Sequence, residues 1–463
     1  MQNTKDISLI LALNHMAGSM DEPVYTAMTT DAIRALQNKY MQEFDAFKCK
    51  NLKLDMSRGK PAADQLALSA GMLDVLSSED YLSEAGLDCR NYGVLDGLPE
   101  VKQLMGDLMG VAAENVIVGG NSSLNMMYDT IARAMLHGVY GSEKPWCRLD
   151  RVKFLCPVPG YDRHFAICQD FGIEMINVPM SEEGPDMDLV EKLVSEDASI
   201  KGIWCVPKFS NPTGITYSDE VVRRMANLSP AASDFRIFWD NAYLVHELYD
   251  ESVSLLNIFE EAEKNGKEDM IFQFCSTSKI SWSGAGLAAM SCSARNCENI
   301  RKHMTVQTIG TDKMNQLRHL RFFKNLDGIH AHMKKHAELI RPKFSMVESI
   351  LEKELGYCGI ASWTHPMGGY FISLTTRKGC AKRVIELCRE AGVTMTPAGA
   401  THPYGIDPDD NTIRIAPTYA EAEALEPAAH ILSLCVKIAT VEMMLAEAVA
   451  SEKSELPAAQ GFC

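Results

Sequence analysis

Ile271-Phe272-Gln273-Phe274-Cys275 runs into Ser276-Thr277-Ser278-Lys279 and then Ser283-Gly284-Ala285-Gly286, and this stretch decides how the chain is read. The apolar run predicts a buried strand, the hydroxyl residues its carboxyl end, and the glycines a flexible turn. Open α/β sheets bind ligands at the carboxyl ends of their strands. A lysine held there out of water loses its proton more readily and can form a Schiff base with an aldehyde cofactor. Taken alone, so short a motif recurs by chance, and a solvated loop lysine is the ordinary reading.

Upstream, strands and helices alternate. Residues 115–118 predict a strand, and Gly119-Gly120-Asn121-Ser122-Ser123 opens a helix through Met127, Ile131 and Met135. Such a helix start suits an anion, because free N–H groups and the positive end of the helix dipole face it; a simple N-cap fits the segment equally well. Residues 152–156 form a strand ending at Pro157-Val158-Pro159-Gly160-Tyr161, followed by a helix over 165–171, a strand over 173–178 and a helix over 189–194. The strand 202–206 ends at Ser210-Asn211-Pro212-Thr213-Gly214, Asp219 caps a helix, and the strand 236–239 closes on Asp240-Asn241-Ala242-Tyr243. Continuous apolar strands between helices imply a mainly parallel sheet covered on both faces.

Downstream, residues 287–292 read as one more strand and 314–355 as a long helical region. Strands at 370–374 and 412–416, a helix over 381–391 and a final helix to about 448 form a second, α+β unit. At the other end, residues 1 to about 50 read as helical arms, 52–56 as extended, and Ser57-Arg58-Gly59-Lys60-Pro61 as a turn whose glycine admits a ligand close to the backbone. Asn91-Tyr92-Gly93 is a loop, and Pro99 and Glu100 begin a helix through Met109. The expected division is an N-terminal arm with part of the small domain (1–60), a large domain (61–325), a small domain (326–450) and a loose tail (451–463).

Composition narrows the function. With 463 residues, 46% hydrophobic and 23% charged, the chain is expected to be a globular protein of one large domain and a smaller one. The net charge of -16 argues against nucleic acid as a partner. No apolar run is read as membrane-spanning and no signal-peptide layout opens the chain, so a cytoplasmic protein is expected. The 14 cysteines include no Cys-x-x-Cys pair, and Cys156, Cys205, Cys275 and Cys435 sit in apolar runs, which predicts buried reduced thiols. His332 and His336 share a helix face without an acidic partner in register, so a solvated face is expected there rather than a metal site.

Gly120-Asn121-Ser122-Ser123, Pro159-Gly160-Tyr161, Asn211-Pro212-Thr213-Gly214, Asp240-Asn241-Ala242-Tyr243, Ser276-Thr277-Ser278-Lys279 and Arg414 fall in order at successive strand ends. Together they resemble the fold-type I pyridoxal 5′-phosphate enzymes, specifically the class I/II aminotransferases, and most closely a bacterial aspartate-aminotransferase-like branch related to the MocR group. The resemblance runs from Arg58 to Arg414. It implies an α/β fold, with a mainly parallel seven-stranded-type large domain and a smaller α+β domain, acting as a homodimer with shared sites.

Residue roles follow from the resemblance. Lys279 carries the cofactor as a Schiff base and, once displaced by substrate, moves the proton. Asp240 pairs with the pyridine nitrogen; alone it reads equally as a strand-end cap. Asn211 and Tyr243 bond the ring's 3′-oxygen, and Tyr161 stacks on the ring, with Val158 the competing residue in that loop. Asn121, Ser122, Ser123, Ser276 and Ser278 hold the phosphate, to which Tyr92 reaches from the neighbouring subunit. Arg414 clamps the substrate α-carboxylate, and Gly59 lets its segment close over substrate. The chain departs from the family where an arginine usually follows the lysine's glycine turn: no basic residue stands between Lys279 and Arg295.

The expected function is a transaminase exchanging an amino group between an amino acid, aspartate or glutamate, and a 2-oxo acid, with Arg58, Lys60, Lys313, Arg318 and Arg321 as candidate cations for a side-chain carboxylate. The same fold also supports lyases and decarboxylases. A MocR-like cofactor-sensing role is disfavoured, because about fifty residues before Leu52 are too few for a winged helix.

Overall fold

The computed structural model describes Tyr25 and residues 28–455. In chain order its strands are β1 (Leu54–Asp55), β2 (Val116–Val118), β3 (Lys153–Val158), β4 (Glu174–Ser181), β5 (Gly184–Pro185), β6 (Ile200–Cys205), β7 (Arg236–Asp240), β8 (Ile271–Ser276) and β9 (Ala288–Ser291). The remaining strands are β10 (Ala361–Trp363), β11 (Ile372–Thr376), β12 (Val393–Thr394) and β13 (Thr412–Ile415).

The large sheet has the order β2-β9-β8-β7-β6-β3-β4-β5. It has eight strands where seven are expected, the extra one being the two-residue edge strand β5. Its centre is parallel: β8, β7, β6, β3 and β4 pair in one direction. Strand β9 is antiparallel to both β8 and β2. Periodicity does not reveal this direction. The link from Ser276 to Ala288 is a compact turn rather than a helical crossover, so the chain returns antiparallel. The central strands β6 and β7 are buried along their whole length, as two-sided cover requires.

A three-stranded antiparallel sheet, β10-β11-β13, and a parallel pair, β1-β12, make the smaller unit. Its core joins Phe344, Val347 and Leu351 of the helix Leu326–Leu355 to Ile431, Cys435 and Ile438 of the last helix. The helix Thr30–Lys48 packs on the same core through Ile33, Leu36 and Phe44, and Thr29 caps it by accepting from the Ala32 N–H at 3.3 Å. Most of the first thirty residues of the expected helical arm lie outside the described residues.

Several expectations need correction. The region 314–355 is two helices, Lys313–Phe323 and Leu326–Leu355. Lys324 takes φ 68°, which ends the first, and the Asn325 side chain caps the second by accepting from the Gly328 N–H at 3.0 Å. Ser218, not Asp219, is the cap of Asp219–Ala226. The last helix runs Ala422–Glu455, into the expected loose tail; the rest of that tail lies outside the described residues. By length and composition, residues Ala422–Ala450 of this helix would suffice to cross a membrane, against the expectation that no run would, and 67% of its most apolar window is buried inside the protein. His332 and His336 are buried, not solvated. Cys156, Cys205, Cys275 and Cys435 are buried, as their apolar runs predict.

Candidate active site

The carboxyl ends of β3, β6, β7 and β8 open on one cavity of about 240 Å³. Of the residues singled out by sequence, Gly59, Ser122, Ser123, Tyr161, Asn211, Asp240, Tyr243, Ser276, Ser278 and Lys279 line it. Larger clefts, one beside Asp107 and Glu260 and another beside Glu191 and Arg224, gather none of these residues.

Lys279 stands three residues beyond β8, its Nζ 4.9 Å from the centroid of the Tyr243 ring. It keeps some accessible surface toward the cavity, yet protein atoms surround the amine. Burial pushes its pKa down from 10.5, opposed by the carboxylate of Asp240. A depressed amine pKa raises the fraction of free base at neutral pH, the form that attacks a carbonyl or takes a proton.

Asp240 ends β7 with 2% of its surface exposed. Its Oδ2 accepts from His164 Nε2 at 3.1 Å, while Oδ1 is buried without a partner. An unpaired carboxylate oxygen at a sheet's carboxyl edge is costly unless a ligand completes it. His164 is fixed in turn by stacking on Trp204, with ring centroids 4.4 Å apart. Burial raises the phenols of Tyr243 and Tyr161, so both are protonated donors across the neutral range.

Arg414, on β13, is 9% exposed. Its Nη1 donates to Asp162 Oδ1 at 3.0 Å and Asn211 Oδ1 at 3.3 Å, and Nη2 donates to Thr396 Oγ1 at 3.3 Å. The guanidinium also lies 4.8 Å from the centroid of the Phe371 ring. β13 thus brings a cation from the small unit onto the Asn211 turn of the large one.

Ser122 caps the helix Ser123–His137, its Oγ accepting from the Leu124 N–H at 3.2 Å, and it lines the cavity as well. The cap residue therefore also faces the cavity. Ser278 Oγ donates to the Asn121 carbonyl at 2.9 Å, which joins the helix start to the lysine loop; Asn121 itself does not line the cavity. Tyr92 does not reach the cavity of its own chain: its side chain is 83% exposed.

The family model for aspartate amino-transferase matches residues 28–448. The aspartate aminotransferase of Corynebacterium glutamicum is 45% identical over 401 residues, 87% of this chain and 93% of that one. The chain belongs to the aspartate amino-transferase family. A solved aspartate transaminase from the same organism superposes with a TM-score of 0.88 at 44% identity, covering 90% of this chain and 98% of that one. The α-aminoadipate aminotransferase of Thermus thermophilus, solved with N-(5′-phosphopyridoxyl)-L-leucine, shares the fold with a TM-score of 0.69 at 18% identity, over 88% of this chain and 95% of that one. The protein is therefore an aminotransferase of the fold-type I class.

Aminotransferases of this family depend in general on pyridoxal 5′-phosphate, and the cavity residues fit that group. The orphaned Asp240 Oδ1 suits a protonated ring nitrogen, and the capped helix start with Ser276 and Ser278 suits a phosphate. The segment 280–294 holds no arginine or lysine, and Lys60 and Lys279 are the cations among the residues lining the cavity.

Sequence reading missed His164, Asp162 and Thr396, which touch the site residues rather than the cavity. His164 lies one helical turn after Tyr161, and its N–H donates to the Tyr161 carbonyl at 3.1 Å, a register that could have flagged it. It also missed His319 and read His332 and His336 as solvated, although all three stand behind the lysine. His319 Nδ1 donates to the Asn315 carbonyl at 2.8 Å, leaving Nε2 to accept from the Ser281 hydroxyl at 2.9 Å and the Thr277 hydroxyl at 3.1 Å. His332 Nε2 donates to the Ile280 carbonyl at 2.9 Å. Gln65 Nε2 donates to His336 Nδ1 at 3.2 Å and to the Tyr370 hydroxyl at 2.9 Å. The Tyr370 hydroxyl in turn donates to the Lys279 carbonyl at 3.4 Å. The main chain on both sides of Lys279 is therefore clamped from behind.

These histidines make stability depend on pH. Burial lowers both His319 and His336 from 6.5 to about 4, and the folded state therefore binds fewer protons than the unfolded one. Their contribution is complete above about 6.5 and is lost as pH falls toward 4, by on the order of 3 kcal/mol per histidine. Urea midpoints are expected to drop steadily between pH 6.5 and 4.5; equal midpoints over that range would contradict the neutral clamp. Carboxylates such as Asp197, lowered to about 2 by hydrogen bonds from Ser199 and Lys153, act only at lower pH.

Proposed function

We propose that this protein moves the amino group of aspartate or glutamate to a 2-oxo acid, using pyridoxal 5′-phosphate bound at Lys279, as a cytoplasmic homodimer. The observation that carries the reading is a desolvated lysine and an aspartate with one buried unpaired oxygen on one cavity, with Arg414 of the other unit donating to Asn211, which lines that cavity. Bound there, the cofactor supplies an electron sink for the pair released when the α C–H bond breaks.

The chain's own residues do the rest. Asp240 Oδ1 receives the ring N–H, and His164 holds the carboxylate in that direction. Asn211 and Tyr243 donate to the 3′-oxygen, and Tyr161 packs on the ring. Ser122, Ser123, Ser276 and Ser278 hold the phosphate with hydroxyls and main-chain N–H groups, in place of the arginine that most members carry. Arg414 binds the α-carboxylate, oriented meanwhile by Asp162 and Thr396. The Lys279 amine, freed by substrate, takes the α-proton and returns it on the far side of the transfer. The exposed ring of Tyr92 reaches the phosphate of the partner subunit, which accounts for a large aromatic left in water. The division into an arm, a large domain to about 325 and a small domain to about 450 completes the proposal.

A lyase or decarboxylase would use the same anchor, and the names of the relatives favour the transaminase. The test is a half-reaction. Holoenzyme mixed with aspartate or glutamate is expected to lose its visible cofactor band and to regain it on addition of 2-oxoglutarate. Release of carbon dioxide or ammonia in place of that cycle would overturn the reading.

A further inference from the structure

We infer that Lys60 selects dicarboxylic substrates, its ammonium group receiving the side-chain carboxylate while Arg414 receives the α-carboxylate; this rests on the aminotransferase reading above. A diacid needs two cations beside one cavity, and Arg414 stands behind its lining, donating to Asn211 at 3.3 Å. Lys279 is engaged in the chemistry, and Lys60 is the remaining basic residue among those lining the cavity.

The other candidate cations are committed elsewhere. Lys313 is buried and its Nζ donates to the Gly93 carbonyl at 2.9 Å. Arg321 pairs with Asp80 at 3.2 Å, and Arg58 turns to Asp55 at 3.8 Å. Arg318 lies 5.3 Å from the Trp282 ring centroid and bonds the Asn315 side chain. Lys60, by contrast, has no carboxylate within ion-pair distance among the described residues. Its Nζ lies 4.0 Å from the centroid of the Tyr419 ring, a contact that steers the ammonium without neutralising it.

The main chain ties Lys60 to the strand that bears Arg414. The Ala416 N–H donates to the Met56 carbonyl at 3.0 Å, and the Thr418 hydroxyl donates to the Lys60 carbonyl at 3.3 Å. Thr396, which accepts from Arg414, also donates to the Ser57 carbonyl at 3.4 Å. Gly59 lies flat on Phe371, where an added Cβ would fall 2.0 Å from Cζ, and Phe371 is the ring that Arg414 packs on. The backbone of segment 56–60 and Arg414 are thus one hydrogen-bonded unit, which sets where the Lys60 side chain starts relative to Arg414. A diacid satisfies both. A monocarboxylic amino acid satisfies Arg414 alone and leaves the ammonium with the Tyr419 ring and water but no carboxylate.

Lys60→Met and Lys60→Arg holoenzymes test this by calorimetric titration with succinate and with butyrate, beside kinetics on aspartate, glutamate and alanine. Lys60→Met is expected to weaken succinate by about tenfold or more and to raise the KM for aspartate with kcat little changed. Butyrate affinity and alanine kinetics should stay within about twofold, and Lys60→Arg should bind succinate nearly as the parent does, since it keeps the charge. Succinate affinity unchanged in Lys60→Met, or equal losses for succinate and butyrate, overturns the inference while the transaminase reading stands. A parent enzyme that transaminates neither aspartate nor glutamate overturns the reading itself.

Discussion

Lys279→Ala is expected to lower kcat by about 10⁴-fold or more, with cofactor still bound but no longer covalently attached. The size follows from losing two roles at once, the covalent attachment and the proton carrier. The backbone does not depend on the side chain: Tyr370 holds the Lys279 carbonyl, and His319 bonds the Thr277 and Ser281 hydroxyls on either side. The variant should therefore melt within a few degrees of the parent. Borohydride should label Lys279 in the parent and no residue in the variant, and added methylamine should restore part of the activity. A variant that keeps more than about one per cent of turnover would remove Lys279 from the chemistry.

Asp240→Asn carries the second large effect, a fall in kcat of about 10²–10³-fold with little change in fold. Asparagine can still accept from His164 Nε2 through its oxygen, which leaves the amide NH₂ where the unpaired Oδ1 lies. A donor facing the ring nitrogen cannot hold a proton there, and the electron sink is weakened. Single-turnover measurement with aspartate, following the cofactor band, separates this loss from substrate binding: the rate of the proton-transfer step should fall while the substrate concentration for half-saturation changes little. Loss confined to half-saturation would place Asp240 in substrate binding and contradict its pairing with the ring.

Much of the fold and of the lining of the candidate cavity was legible in the sequence. The apolar runs at β3, β6, β7 and β8 mark buried strands, because a parallel sheet covered on both faces leaves no room for alternation. Each of those strands ends in a turn or hydroxyl cluster, and ten of the expected site residues line one cavity because the sheet brings its carboxyl ends to one edge. His332 and His336 were misread for an equally physical reason. Lysines share their helix, and its polar face looks solvated until Gln65, Ser69 and the Ile280 carbonyl are seen to cover it. Likewise, the length and hydropathy of the helix Ala422–Ala450 do not show that it is the inner wall of the small unit.

By itself the sequence determined the order of the strands' chemistry: a glycine–serine helix start, Asn211, Asp240 and Lys279, each following a stretch apolar enough to be buried whatever its neighbours. That is local information, carried by periodicity and by residue types whose chemistry is short-ranged. Tertiary structure decided the rest, because it joins residues far apart in the chain. It placed His164 behind Asp240, set Asp162 and Thr396 on Arg414, turned β9 antiparallel, and hung Lys60 beside the strand of Arg414 through Thr418. Lys279 gains its lowered pKa in the same way, from the burial that the folded sheet and the Tyr243 ring create around its amine.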